Sequence, residues 1–387
     1  MAETTNVVII GAGPAGLAVG ACLRKVDIDF IILERADEIA PSWRHHYERL
    51  HLHTIKRLSS LPFMPFPKDY PRYVPRRQMV EYLDSYARTF DLQPRLGQTV
   101  RSVRKDGDEW LVESTSALVR APCVVVASGY NAEPVQPAFP GAERFKGRIM
   151  HARDYANGRP FAGQPVLVVG MGNTGAEIAL DLAEQAARPT ISVRNGVHIV
   201  PRELFGIPIQ MLSILTAKLP LGGNSPLLLH IIDRALGELE SYGIHRPRGP
   251  IIPKTGGRAR IPVIDVGTVK KIQQRAIKVA PGIAGITTDG VTFADGSSAR
   301  FDSIIFATGY RANYSSFLEG YEGDGAIGDQ AVNDLSRKSG VYFVGLRNSA
   351  SGLLREIGRE AVTVADNIAQ RRRRAEDLWS GRKGQGG

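Results

Sequence analysis

Val7-Val-Ile-Ile-Gly11-Ala-Gly13-Pro-Ala-Gly16 opens the chain, and Val166-Leu-Val-Val-Gly170-Met-Gly172-Asn-Thr-Gly175 repeats its pattern further on. In each copy a short β-branched run ends in G-x-G-x-x-G and leads into a helix-forming segment, Leu17 to Lys25 and then Ala176 to Ala186. A second strand is predicted after each helix, from Asp29 to Glu34 and from Thr190 to Arg194. The first glycine of such a turn permits the tight bend, the second lets the backbone approach a pyrophosphate, and the third lets helix and strand pack closely. The helix N-terminus adds N–H donors and partial positive charge. Gly11, Gly13, Pro14, Ala15 and Gly16 therefore make one expected phosphate cradle. Gly170, Gly172, Asn173, Thr174 and Gly175 make another. One turn holds one dinucleotide, so two imply electrons passing between two cofactors.

The strand ends distinguish the cofactors. Glu34, eighteen residues past Gly16, suits the ribose hydroxyls of FAD, with Arg35 beside it. Nineteen residues past Gly175 stands Arg194, preceded by Ser192, where a guanidinium suits the 2′-phosphate of NADPH. A further echo links Cys123-Val-Val-Val-Ala-Ser128-Gly129-Tyr with Ser303-Ile-Ile-Phe-Ala-Thr308-Gly309-Tyr, each an apolar strand ending in a small-residue turn. Trp43, Leu52 and Thr54 are expected along the flavin. Gly352 and Leu353, ahead of a helix expected over Glu356 to Gln370, complete the expected cofactor contacts. The fold class is α/β, with two Rossmann-like dinucleotide-binding domains. The FAD domain is expected over residues 1–158 and 300–387, with the NADPH domain inserted as 159–299. Stretches from Pro134 to Gly147 and from Pro247 to Gly257 read as connections or functional loops.

Composition narrows the remaining classes. Of 387 residues, 43% are hydrophobic and 23% charged, as in a globular protein with a large core. The net charge of +10 comes from scattered arginines, and with no nucleic-acid motif it points to phosphate-bearing cofactors rather than nucleic acid. The Arg371 to Arg374 run reads as a solvated helix end. Cys22 and Cys123 are the only cysteines, which excludes a disulfide framework and a cysteine-built metal site. No metal is expected, and neither an export signal nor a transmembrane run is legible, so the expected setting is cytoplasmic. The apolar region from Phe205 to Ser241 admits packing helices, a greasy pocket wall or weak membrane contact. The charges Lys218, Asp233, Arg234 and Glu238 favour packing helices.

Phe145-Lys-Gly147-Arg-Ile-Met-His151-Ala-Arg-Asp-Tyr155 resembles the FxGxxxHxxxY signature of flavin-containing and related class B monooxygenases. The resemblance covers nearly the whole chain. Leu61-Pro-Phe-Met-Pro-Phe-Pro67, Val197-His-Ile-Val-Pro-Arg-Glu203 and Pro262-Val-Ile-Asp-Val-Gly267 are most similar to the plant YUCCA branch, the indole-3-pyruvate monooxygenases of auxin synthesis. The resemblance implies that NADPH reduces FAD, that reduced flavin captures O2, and that one oxygen atom passes to the substrate. In the YUCCA-like case an aryl 2-oxo acid such as indole-3-pyruvate or phenylpyruvate loses CO2 and leaves as the acetic acid. Where nitrogen- and sulfur-oxygenating relatives place an active-site Asn, this chain has His53, the expected catalytic neighbour of the flavin. His151 is expected to link the signature loop to the NADPH domain. Arg76, Arg77 and Arg202 are candidates to attract an anionic substrate. Oxygenation of small nitrogen or sulfur nucleophiles is the alternative, and a flavin reductase without oxygen transfer is a second. Disulfide reduction lacks a CxxC pair.

Overall fold

The computed structural model describes residues 2–216, 225–247, 251, 262–321, 339–346, 349 and 351–383. Two parallel sheets dominate it. Strand β1 (Val7–Ile10) leads through the first glycine turn into helix α1 (Pro14–Lys25) and strand β2 (Phe30–Leu33). Strand β3 (Cys123–Val126) pairs with β1 on its other side. In the second copy, β4 (Arg148–His151) precedes β5 (Pro165–Val169), helix α2 (Asn173–Glu184) and β6 (Arg188–Ser192). The chain continues through α3 (Ile209–Thr216), β7 (Lys278–Ala280), β8 (Ser303–Phe306), β9 (Val341–Phe343) and α4 (Leu353–Lys383). The sheets run β9-β3-β1-β2 and β7-β6-β5-β8-β4. Every residue of β1, β3 and β8 is buried, which is why these strands read as unbroken apolar runs rather than as alternating ones.

The repeat is deeper than the sequence echo. Ile10 pairs with Val126 beside the first glycine turn, and Val169 pairs with Phe306 beside the second. A three-stranded antiparallel meander precedes each echo strand: Ser102–Asp106, Glu109–Glu113 and Leu118–Ala121 before β3, then Ile283–Ile286, Gly290–Phe293 and Ser298–Arg300 before β8. The crossing segments Glu133–Pro134 and Tyr310–Arg311 run antiparallel to each other, so the two connections between modules lie side by side.

Boundaries expected at 158 and 300 cut through the second sheet. Arg148–His151 and Ser303–Phe306 hydrogen-bond to each other in that sheet, and Ser303–Phe306 also pairs with Val166–Val169. Hydrogen bonding therefore moves both segments to the second module. After β8 the chain returns to the first sheet at β9, and α4 packs against α1. That last helix begins three residues before the expected Glu356 and runs well past Gln370. Most of the loop from Pro247 to Gly257 and all of residues 217–224 lie outside the described residues.

Candidate active site

The glycine turns are held by close backbone contacts. A Cβ on Gly16 would lie 1.9 Å from the Gly11 carbonyl oxygen, and one on Gly175 would lie 2.0 Å from that of Gly170. Only glycine allows each helix to start so near its strand. Gly13 and Gly172 differ, because a Cβ there meets no atom within 4 Å. Each turn thus keeps an open face, capped by the N-terminus of an α-helix.

Glu34 is 5% exposed and its carboxylate is anchored. Oε2 accepts the Ala12 N–H at 2.7 Å and Oε1 accepts the Ala36 N–H at 3.0 Å. An ionised carboxylate offers about four acceptor positions, so two remain open. The corresponding place in the second module is not Arg194. Gly11 N–H donates to Leu33 O at 2.8 Å, and Gly170 N–H donates to Ser192 O at 3.0 Å. Ser192 therefore corresponds to Leu33, Val193 to Glu34, and exposed Arg194 to exposed Arg35. The acid position is filled by a valine, one residue earlier than the strand count suggests. Ser192 is buried and its hydroxyl donates to Pro281 O at 2.7 Å. The echo turns also part. Ser128 Oγ is buried without a partner, whereas the Thr308 hydroxyl donates to Val135 O in the connection between modules.

An apolar cavity of about 190 Å³ lies where the modules meet. The first module contributes His53, Thr54 and Gly352, and the second contributes Asn173, Ile209 and Gln210 among others. Helix α3, from the apolar region, supplies part of this wall, while Leu215 remains 66% exposed. Asn173, expected at a cofactor, accepts the Ile264 N–H at 2.7 Å through Oδ1 and also lines the cavity. Gln210 joins three segments: its Oε1 accepts the Ile55 N–H at 3.0 Å, and its Nε2 donates to Ser351 O. A Cβ on Gly352 (φ 102°) would come within 2.8 Å of that Nε2 and 2.9 Å of Thr54 Cγ2. Among the described residues, His53 is the one titratable side chain lining the cavity.

His53 does not stand alone. Its Nε2 lies 2.6 Å from Glu177 Oε1, and the Tyr47 hydroxyl donates to the same oxygen at 3.0 Å. Glu177 belongs to α2, as do Asp181, which accepts from Tyr155 OH and Gly158 N–H, and Glu184, paired with Arg49. Burial and the neighbouring carboxylate push the Tyr47 hydroxyl well above its usual range, so it stays a donor. His46, beside Tyr47, is pushed down to about 4, chiefly by burial. Sequence reasoning missed Tyr47, Glu177 and Gln210. A signal existed for Glu177: acids at 177, 181 and 184 mark one face of an otherwise apolar helix.

The remaining expected residues take other places. Trp43 packs against the first core, and Leu52 is buried within it. The Thr54 hydroxyl bonds Ser59 Oγ at 2.7 Å, and Leu353 opens α4. Gly129 and Gly309 both take positive φ at the ends of their turns. Arg35 lines a second cavity of about 290 Å³ with Ser42, His46, Arg153 and Tyr310. None of the three arginines proposed to draw in substrate lines the cavity at the seam. Arg76 donates to Arg44 O and His46 O, Arg77 pairs with Glu81, and the Arg202 guanidinium lies 4.2 Å over the Tyr73 ring. His151 is buried at the end of β4, edge-on to Tyr310 of the connection. Both thiols are buried, with Cys22 pushed up to about 12 and Cys123 to about 11, chiefly by burial. No described group of His, Cys, Asp and Glu has the makings of a metal site, and no described helix is long and apolar enough to cross a membrane.

Two glycine-rich nucleotide turns in modules that share one apolar cavity are the layout of a flavoprotein that takes electrons from a second dinucleotide. The chain belongs to the flavin-binding monooxygenase-like family, whose model matches residues 4–322, and it is a flavin-dependent monooxygenase. It is 40% identical over 375 residues to indole-3-pyruvate monooxygenase YUCCA1 of Oryza sativa subsp. japonica, spanning 94% of this chain and 91% of that protein. To indole-3-pyruvate monooxygenase YUCCA6 of Arabidopsis thaliana it is 43% identical over 326 residues, spanning 81% and 78%. The fold matches a flavin-containing monooxygenase from Stenotrophomonas maltophilia with a TM-score of 0.70 at 22% identity, over 95% of this chain and 99% of that one.

Proposed function

We propose that the protein is an FAD- and NADPH-dependent monooxygenase that converts an aryl 2-oxo acid, indole-3-pyruvate or phenylpyruvate, to the aryl acetic acid with release of CO2. The observation that carries this reading is the apolar cavity at the seam of the modules, walled by Ile209 and carrying, among the described residues, a single imidazole, His53. An aromatic side chain suits the wall. The activity of the indole-3-pyruvate monooxygenases to which the chain is similar, one of them over 94% of its length, supports the same substrate class.

In this reading FAD takes the first turn. The open face at Gly13, the spare acceptor positions of Glu34 and the unpartnered Ser128 hydroxyl all fit a dinucleotide there. NADPH takes the second, where Val193 presents no carboxylate against a 2′-phosphate and Arg194 offers a guanidinium. When bound, flavin reduced by NADPH supplies the oxygen-activating chemistry. The chain's own part is to orient the two nucleotides, exclude water with the apolar wall, and seat the aromatic ring of the substrate beside His53. A cytoplasmic setting belongs to the reading, supported by two buried, unpaired cysteines.

Purified holoenzyme supplied with NADPH and ¹⁸O₂ tests it against indole-3-pyruvate, phenylpyruvate, trimethylamine and methimazole. The expected products from the oxo acids are CO2 and an aryl acetate carrying one ¹⁸O, one per NADPH oxidised. N- or S-oxides without aryl acetate would reassign the enzyme to nucleophile oxygenation. NADPH oxidation with no oxygenated product at all would leave only a reductase.

A further inference from the structure

Glu177 is 2% exposed, yet nothing in its own module accounts for it. A buried carboxylate costs several kcal/mol unless donors meet its charge, and both of its donors, Tyr47 and His53, come from the other module. An ionised carboxylate only accepts, so the His53 nitrogen that faces it, Nε2, carries a proton. That leaves Nδ1 as the free position of a ring that lines the cavity. A carboxylate behind an imidazole fixes its tautomer and ring plane, as in other histidines that work on a substrate or a metal. Glu177 also lies two residues past Gly175, in the helix that caps the second nucleotide turn.

We propose that Glu177, steadied by Tyr47, is the positioning residue for His53: it holds the Nε2–H tautomer and so presents Nδ1 to the cavity as a hydrogen-bond acceptor, which suits a donor such as an indole N–H and not a carboxylate. Because Glu177 rides on α2, that presentation exists only while the second module is docked on the first. The helix that caps the second nucleotide turn would then set the geometry of the substrate pocket as well. The substrate half of this proposal rests on the aryl 2-oxo acid reading, whereas the tautomer half stands without it.

The test is long-range ¹H–¹⁵N correlation on histidine-labelled holoenzyme above pH 7, with the His53 signal assigned by its loss in His53→Asn. Wild type is expected to show His53 in the Nε2–H form alone. In Glu177→Gln the carboxamide can donate as well as accept, so an Nδ1–H population is expected to appear. The KM for indole-3-pyruvate should rise severalfold, as for loss of one hydrogen bond from its N–H, with a smaller change in kcat and no such rise for phenylpyruvate, which has no N–H to donate. Tyr47→Phe, which removes the supporting donor without altering charge, should move the spectrum in the same sense but less. An Nδ1–H tautomer in wild type overturns the proposal, as does a His53 signal unchanged in Glu177→Gln. Should Glu177→Gln not fold with its flavin, an unchanged signal in Tyr47→Phe overturns it. A tautomer shift in an enzyme that forms no aryl acetate would support the positioning role and count against the oxo acid reading alone.

Discussion

In the first module Gly11 N–H donates to Leu33 O, and in the second Gly170 N–H donates to Ser192 O, so the turns correspond residue for residue up to the last strand carbonyl. One position later they part. Glu34 folds back to accept the Ala12 N–H, whereas the Val193 side chain has no polar atom to offer the equivalent Met171. The hydroxyls of the echo turns part as well, Ser128 lacking a partner and Thr308 bound to the connection between modules. The glycines build the same cradle twice, and the choice of nucleotide is left to a few side chains around it.

The strongest way to break this comparison is to place a methyl on the middle glycine of each turn. Gly13 and Gly172 have ordinary negative φ, −78° and −93°, and open space where a Cβ would stand. Alanine there leaves the folded protein intact and intrudes only on a bound pyrophosphate. Intrusions of this size cost about 1–3 kcal/mol, up to roughly a hundredfold in affinity. Gly13→Ala should yield a folded, nearly colourless protein. Gly172→Ala should stay yellow and lose its reduction by NADPH. Flavin titration and anaerobic reduction rates read the two effects separately. Equal loss of both nucleotides in both variants would mean that the turns do not divide the cofactors.

Next in size is the discrimination at the strand end. Arg194→Ala should lower kcat/KM for NADPH about 10- to 100-fold, the worth of one or two hydrogen bonds to a charged phosphate, and leave NADH almost unchanged. Val193→Glu restores the first module's acid at the corresponding place and should push preference further toward NADH. Steady-state kinetics with both nucleotides check this. A preference unmoved in both variants would separate Arg194 from the 2′-phosphate.

What was legible in the sequence was local. Paired glycine turns, the strands on either side and the two echo strands follow from patterns confined to ten or twenty residues, where sterics leave little choice. The parts missed depend on pairing across the chain. Arg148–His151 precedes the second turn, yet closes the edge of that turn's sheet, so a boundary drawn by sequence order fell on the wrong side of it. The acid position slipped by one because strand register, not residue count, decides which side chain follows the last carbonyl. His53 stands out in the sequence by likeness alone. Its partner Glu177, 124 residues away, sits inside a helix whose apolar face reads as ordinary packing. Gln210 bridges segments 155 residues apart and leaves no local signal.

The smallest effect concerns the two hydroxyls, and its sign makes it informative. An unpartnered buried hydroxyl destabilises a protein, and removing it is neutral or favourable. Ser128→Ala should therefore leave the melting temperature of flavin-free protein unchanged or raise it. If the hydroxyl serves the cofactor, the same change should weaken FAD by about 1 kcal/mol, roughly fivefold. Thr308→Val keeps the shape and deletes the bond to Val135 O, so it should lower stability by about 1 kcal/mol with flavin affinity untouched. Melting curves with and without FAD, run on both variants, give four signs at once. The expected pattern is up or flat for Ser128→Ala without flavin and down with it, against down in both for Thr308→Val. A fall in flavin-free Ser128→Ala would mean that the hydroxyl already has a partner in the protein, and the contrast between the two turns would shrink to the single residue after each strand.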